Sequence, residues 1–314
     1  MTTTTASSGR RTVQRPGDRV FSGSTIAAGV LILVILAGVA AFLLTNAWPA
    51  VTASAEDLPG GRTLFAYTAP LVFGTLLGAV LALLVATPLA VGIALFISHY
   101  APRRLAAPLG YVIDLLAAVP SIIYGLWGVA VLAPQTVGLS RWLESTLGFL
   151  PFFSGPASST GRTMLTVGIV LGVMILPIIT AVSREVFLQT PRLHEEAALA
   201  LGATRWEMIR MTVLPFGKPG VISASMLGLG RALGETMAVA IVLSVSPGLI
   251  SFNLISPSNP STVAANIALQ FPESSGLAVN TLIFTGLVLF GITLAVNMLA
   301  RWIIARRAEF SGAN

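Results

Sequence analysis

Glu196-Ala197-Ala198-Leu199-Ala200-Leu201-Gly202, followed by Thr212-Val213-Leu214-Pro215, lies in a basic, polar stretch between two long apolar runs. Glu195, Glu196 and residues 197–201 favour helix, Thr190-Pro191 offers a start, and Gly202 suits a turn that needs positive φ. The spacing therefore predicts a short helix closed by a tight turn, outside the apolar regions. A plain solvated amphipathic loop is the alternative reading of the same residues.

The flanking runs fix the class. Hydrophobic residues make up 55% of the chain and charged residues 10%, which argues against a soluble globule. A spanning helix needs roughly 20 apolar residues, and six segments qualify: residues 25–45, 69–98, 107–132, 163–182, 221–245 and 279–304. The expected fold is an all-α polytopic membrane protein with six transmembrane helices. The second segment overshoots a hydrocarbon core of about 30 Å, and Pro88 near its middle removes a backbone hydrogen bond, so a bent or strongly tilted helix is expected there.

Basic residues set the orientation. With the N-terminus inside, the inner segments hold Arg10, Arg11, Arg15, Arg19, Arg103, Arg104, Arg184, Arg192, Arg205, Arg210, Lys218, Arg301, Arg306 and Arg307, fourteen of the eighteen Lys and Arg. The outer segments hold only Arg62, Arg141 and Arg162, and Arg231 falls inside a span. This asymmetry places both termini on the cytosolic side. The domain plan is then a cytosolic tail at residues 1–24, disordered at its start, a membrane domain at 25–304 with a cytosolic loop at 183–218, and a cytosolic tail at 305–314. The formal charge of +6 reflects topology and contact with anionic lipid, with no need to invoke nucleic acid.

Several chemistries are excluded. Arg10-Arg11 and Ala53-Ser54-Ala55 imitate targeting signals, but the apolar run between them is too long for a signal peptide, so the first span is expected to be kept. The absence of cysteine removes disulfides, thiolate metal sites and cysteine nucleophiles. His99 and His194 have no partner at ligand spacing and read as snorkelling polar residues, so no metal site is expected. Nucleotide-binding, zincin and nucleophile-elbow motifs are missing, and no catalytic residue is assigned. Any ATP hydrolysis belongs to another polypeptide.

Residues 133–162 and 246–278 are rich in Ser, Pro and Gly and read as outer loops capping one membrane domain. Residues 262–271 are mildly amphipathic and suited to lying flat on the bundle or the lipid interface, or to receiving a soluble binding protein.

The fifth span carries the most chemistry: Gly228-Leu229-Gly230-Arg231-Ala232-Leu233-Gly234-Glu235-Thr236-Met237. Arg231 and Glu235 are four residues apart, on one face of a helix and placed to pair. Intramembrane charges are costly, about 2.5 to 3.5 kcal/mol at a helix centre on insertion scales, so these should face protein or water. Gly228, Gly230 and Gly234 give small faces for helix packing. One reading is a neutralised pair that fixes packing. The other is a guanidinium presented to an oxyanion, with Arg231, Glu235 and Thr236 on a substrate pathway. Glu235 is also a candidate acceptor for a proton carried by such an oxyanion. Asp114 reads as a partner for Arg103 or Arg104.

The pattern from Glu196 to Pro215 resembles the coupling loop of ABC importer permeases. The strings from Gly228 to Val239 and from Val119 to Gly128 resemble the PstC-type permease family of bacterial phosphate importers, over about residues 17–307. Thr212 departs from the superfamily pattern, where isoleucine is usual. The resemblance implies the type I ABC importer permease fold with a cytosolic coupling helix in a bacterial cytoplasmic membrane. It assigns ATPase coupling to Glu195, Glu196, Ala197, Ala198, Gly202, Leu214 and Pro215. It also implies a sister permease of PstA type, two copies of an ATPase of PstB type holding ATP and Mg, and an external phosphate-binding protein of PstS type, with no cofactor in this chain. Two alternatives stay open: a permease for another oxyanion such as sulfate or molybdate, and an ion-coupled secondary carrier.

Overall fold

The computed structural model describes residues 16–308. Arg10, Arg11 and Arg15 lie outside the described residues, as do the side chains of Arg19, Arg103, Arg306 and Arg307.

Long apolar helices with their backbone bonds satisfied internally dominate, as hydrocarbon demands. They are α1 (Pro16–Thr52), α2 (Leu64–Tyr100), α3 (Arg103–Ala117), α4 (Ser121–Leu147), α5 (Met164–Leu188), α6 (Arg192–Ala200), α7 (Arg205–Met208), α8 (Leu214–Leu233), α9 (Met237–Val242), α10 (Val263–Gln270) and α11 (Leu277–Ala308). Among the described residues there is no β-strand, only an isolated bridge between Val245 and Asn259. Five helices are long and apolar enough to cross a membrane: α1, α2, α4, α5 and α11.

The core is the packing of α2 and α8 on α5. Ala82, Ala86, Ala90 and Ala94 recur every four residues on α2 and are fully buried. Gly168 and Gly172 on α5 meet Leu81 and Val85 so closely that a Cβ at Gly168 would lie 2.7 Å from the Leu81 Cβ. Small residues thus bring the two backbones together, and dispersion across that seam replaces the hydrophobic drive that lipid cannot supply. Helix α2 runs for 37 residues through Pro88 without interruption, about 55 Å at the usual rise. That length fits the expected overshoot. At its end the turn opens, and the Ala101 amide donates to Phe96 O, five residues back, at 2.7 Å. Helix α1 packs on α11, where Asn280 Nδ2 donates to Asn46 O at 2.5 Å, and most of its other large apolar side chains face outward.

Two expected spans are corrected. Residues 107–132 do not form one helix. α3 stops at Ala117, because Pro120 forces the preceding residue out of helical conformation, and the crossing helix is α4, at 121–147. Residues 133–147, expected as outer loop, therefore belong to that crossing. Tyr124 closes the break by donating its hydroxyl to Leu116 O at 2.8 Å. α3, with 15 residues, is too short to cross and packs on α5. The crossing expected at 221–245 is discontinuous: α8 ends at Leu233, residues 234–236 are not helical, and α9 resumes at Met237.

The loop expected at 183–218 is also largely helical. α5 continues to Leu188, and α7 begins at Arg205 and runs through a wide turn at Ile209–Val213 into α8. Thr204 starts α7 with a capping box. Its hydroxyl accepts from the Glu207 amide at 3.3 Å, while Glu207 Oε2 accepts from the Thr204 amide at 2.8 Å.

At the opposite end the polar segments form a bound cap. Asn259, fully buried, donates Nδ2 to Arg162 O, Ser244 O and Ser256 O, and its Oδ1 accepts from the Met164 amide at 3.0 Å. Arg162 donates to Ile241 O at 2.8 Å and Val242 O at 3.3 Å, satisfying the last carbonyls of α9. Helix α10 lies against α2, α9 and α11, buried through Val263, Ala264 and Ala265. Of the two surfaces the amphipathic pattern allowed, it takes the bundle.

Candidate functional site

Two places bring the sequence-singled residues together. The first is α6. Its start follows Pro191, and Glu195 stands in its first turn, where a carboxylate suits the helix dipole. Its end is a Schellman closure. The Gly202 amide donates to Leu199 O at 3.0 Å, the Ala203 amide donates to Ala198 O at 3.2 Å, and Gly202 takes φ +88°. The positive φ expected from sequence is present.

Ala198 is buried against Phe187, Met208, Ile209 and Val213, which ties α6 to α5 and α7. The opposite face is open: Glu196 and Ala197 are exposed, Leu193 is 76% exposed and Leu201 is 90% exposed. Beside it runs an open groove of about 800 Å³ whose walls include Ala197, Gly202, Met211, Thr212, Pro215 and Phe216. Leu214 and Pro215 form the first turn of α8.

His99, read from sequence as a snorkelling residue, is instead half of a link. Its Nε2 lies 3.5 Å from Glu195 Oε1, and its Nδ1 lies 2.7 Å from Ser98 Oγ. Ser98 in turn donates to Ala94 O at 2.8 Å. The last turn of α2 is thereby joined to the first turn of α6. The sequence carried no signal for this pairing, because the partners are almost a hundred residues apart.

The second place is the break between α8 and α9. Glu235 is buried, and its Oε1 accepts from the Ala238 amide at 3.1 Å. It caps α9 in the manner of an N-terminal carboxylate, supplying an acceptor to a donor no helical carbonyl can reach. The expected ion pair with Arg231 is not formed, because Glu235 lies beyond the end of α8 and the i, i+4 geometry that would align the two does not exist there. Thr236 precedes α9 without capping it.

Arg231, on the last turn of α8, lines a cavity of about 630 Å³ with Ser223, Gly230, Asn297 and Arg301. Its Nε is buried with no hydrogen-bond partner. Of the three glycines expected to pack helices, Gly228 does so: a Cβ there would lie 2.9 Å from Ile179 Cδ1 and Cγ1. Gly230 faces the cavity, with open space where a Cβ would stand, and Gly234 belongs to the turn that ends α8, so neither packs a helix within this chain. Asp114 is exposed near Arg184 and Glu185. Among the described residues no group of three or more His, Asp or Glu is placed to hold a metal. Chemically, the arrangement offers an unneutralised guanidinium at a helix break and a helix presented on a polar end of the bundle.

The family model described as binding-protein-dependent transport system inner membrane component matches residues 86–309. A phosphate transport system permease protein PstC 2 of Mycobacterium tuberculosis is 47% identical over 298 residues, covering 91% of each chain. The PstC permease of Mycobacterium leprae is 44% identical, covering 95% of this chain and 96% of its own. That of Mesorhizobium japonicum is 38% identical, covering 94% and 92%. Among solved structures, a bacterial ABC transporter that imports the acidic polysaccharide alginate aligns with a TM-score of 0.54 at 18% identity, over 76% of this chain and 79% of that one.

Proposed function

The chain belongs to the family of binding-protein-dependent transport system inner membrane components, and from that membership we propose that it is the PstC-type permease subunit of an ATP-driven importer of inorganic phosphate. The relatives named as phosphate permeases match it almost end to end, which supports the substrate class. The observation that carries the mechanism is Arg231, a guanidinium at the α8–α9 break with no carboxylate partner among the described residues. A planar, permanently charged fork suits a tetrahedral oxyanion. Glu235 Oε1 accepts from the Ala238 amide, which leaves the second carboxylate oxygen as the acceptor for a P–OH proton. Selection of phosphate over sulfate then lies with Glu235 or with a separate external binding protein.

The energy source is a partner. Helix α6 presents Leu193, Glu196, Ala197 and Leu201 outward on the end assigned to the cytosol, as a docking helix for an ATPase of PstB type requires. The backbone of α6 is joined to the bundle through Ala198 and the His99–Glu195 link, so a push on α6 reaches α2 and α5. The full assembly pairs this chain with a PstA-type sister, two ATPase copies that bind ATP and Mg, and a PstS-type binding protein outside. Both termini are cytosolic in this reading.

The test is co-reconstitution of these subunits in liposomes. ATP-dependent uptake of labelled phosphate, outcompeting sulfate, is the expected result. Uptake by this chain without an ATPase would place it among ion-coupled carriers instead.

A further inference from the structure

The cavity beside Arg231 holds a second guanidinium that the import reading does not use. Arg301 enters from α11, and the remaining polar wall is Ser223 and Asn297, while Ile178 and Met226 supply apolar surface. Among the described residues no carboxylate lines the space. Both arginines line one open cavity, and the Arg231 Nε is buried with no acceptor among the described residues. An anion seated there is offered the guanidinium N–H groups of both side chains, with the Asn297 amide and Ser223 hydroxyl as neutral donors.

We propose that Arg231 and Arg301, with Asn297 and Ser223, form a niche that binds a phosphate group. The free anion and the phosphodiester of an anionic lipid share this chemistry. The cavity borders the exposed Leu227, which gives a head group a route in from the bilayer. The free-phosphate arm rests on the import reading, whereas the lipid arm does not.

The purified full chain in detergent distinguishes the sources. Labelled inorganic phosphate is titrated by equilibrium dialysis, and retention of phosphatidylglycerol is followed by native mass spectrometry, for wild type, Arg301→Gln, Arg301→Lys and Arg231→Gln. Arg301 is exposed near a helix end, so its variants should fold, and a thermal melt checks this. Weakening of either ligand by about tenfold in Arg301→Gln, with partial retention in Arg301→Lys where a point charge replaces the fork, supports the niche and identifies its occupant. Binding of both ligands unchanged in Arg301→Gln, or no binding by wild type, overturns it.

Uptake by the reconstituted complex separates this from the import reading. If Arg231→Gln abolishes uptake while Arg301→Gln leaves binding intact, the import role stands and the niche falls. If Arg301→Gln abolishes binding while Arg231→Gln still imports phosphate, the niche stands and the pathway role of Arg231 falls.

Discussion

Glu235 Oε1 accepts the Ala238 amide at 3.1 Å, so the carboxylate that sequence spacing offers to Arg231 serves the start of α9. Gln at this position still presents an oxygen to that amide, whereas Ala removes it. Glu235→Gln should therefore keep near-normal membrane abundance. Glu235→Ala should lose about 0.5 to 2 kcal/mol of stability, seen as a lower melting temperature of the purified chain. Equal melting of the two variants would show that the cap contributes nothing.

Gly202 has φ +88° with open space where a Cβ would stand, so the cost of substitution there is conformational alone. Gly202→Val should strain the turn by about 1 kcal/mol or more while the bundle still inserts. ATP-driven uptake should fall at equal membrane abundance. Gly202→Asn, which tolerates positive φ better, should lie between Val and wild type.

The contrast between two glycines tests the α5–α8 seam. A Cβ at Gly228 meets Ile179 at 2.9 Å, whereas one at Gly230 meets nothing within 4 Å. Gly228→Val should lower the melting temperature and abundance, with a cost in the usual overpacking range of about 1 to 3 kcal/mol. Gly230→Ala should leave both unchanged, as a melt of the purified chain would show.

Acid should loosen the start of α7. The Thr204 backbone amide, and then its hydroxyl, hold the exposed Glu207 carboxyl below its ordinary value. A group with a depressed folded-state pKa contributes stability that is present above its unfolded value and lost as pH falls through the folded one. Hydrogen exchange over residues 205–213 should therefore accelerate as pH drops below the ordinary carboxylate range, after correction for intrinsic rates. Glu207→Gln should abolish that pH dependence. An unchanged profile in the variant would locate the titrating group elsewhere.

Composition and positive charge made the membrane class legible, and the residues around Gly202 made α6 and its closure legible, because those signals are local. The Thr204-x-x-Glu207 capping box and Pro120 were equally local, yet apolar averaging over 107–132 and polarity over 183–218 concealed the helix boundaries they mark. The break at 234–236 was hidden by treating Arg231 and Glu235 as helical neighbours. Gly234, which ends α8, followed by Glu235, which caps α9, is the stop-and-start signal that resolves it. The His99–Glu195 link, the Asn259 junction and the cavity that Arg231 and Arg301 both line join residues far apart in the chain. Only the folded bundle brings them together.

The central claim is that Arg231 serves phosphate rather than packing, and its most direct test is uptake of labelled phosphate by the reconstituted complex carrying Arg231→Gln or Arg231→Lys, at matched abundance. With no carboxylate to leave unpaired, both variants should assemble normally. Uptake should fall by about tenfold or more in Gln and substantially in Lys, which lacks the fork. Phosphate uptake close to wild type in Arg231→Gln would contradict the account.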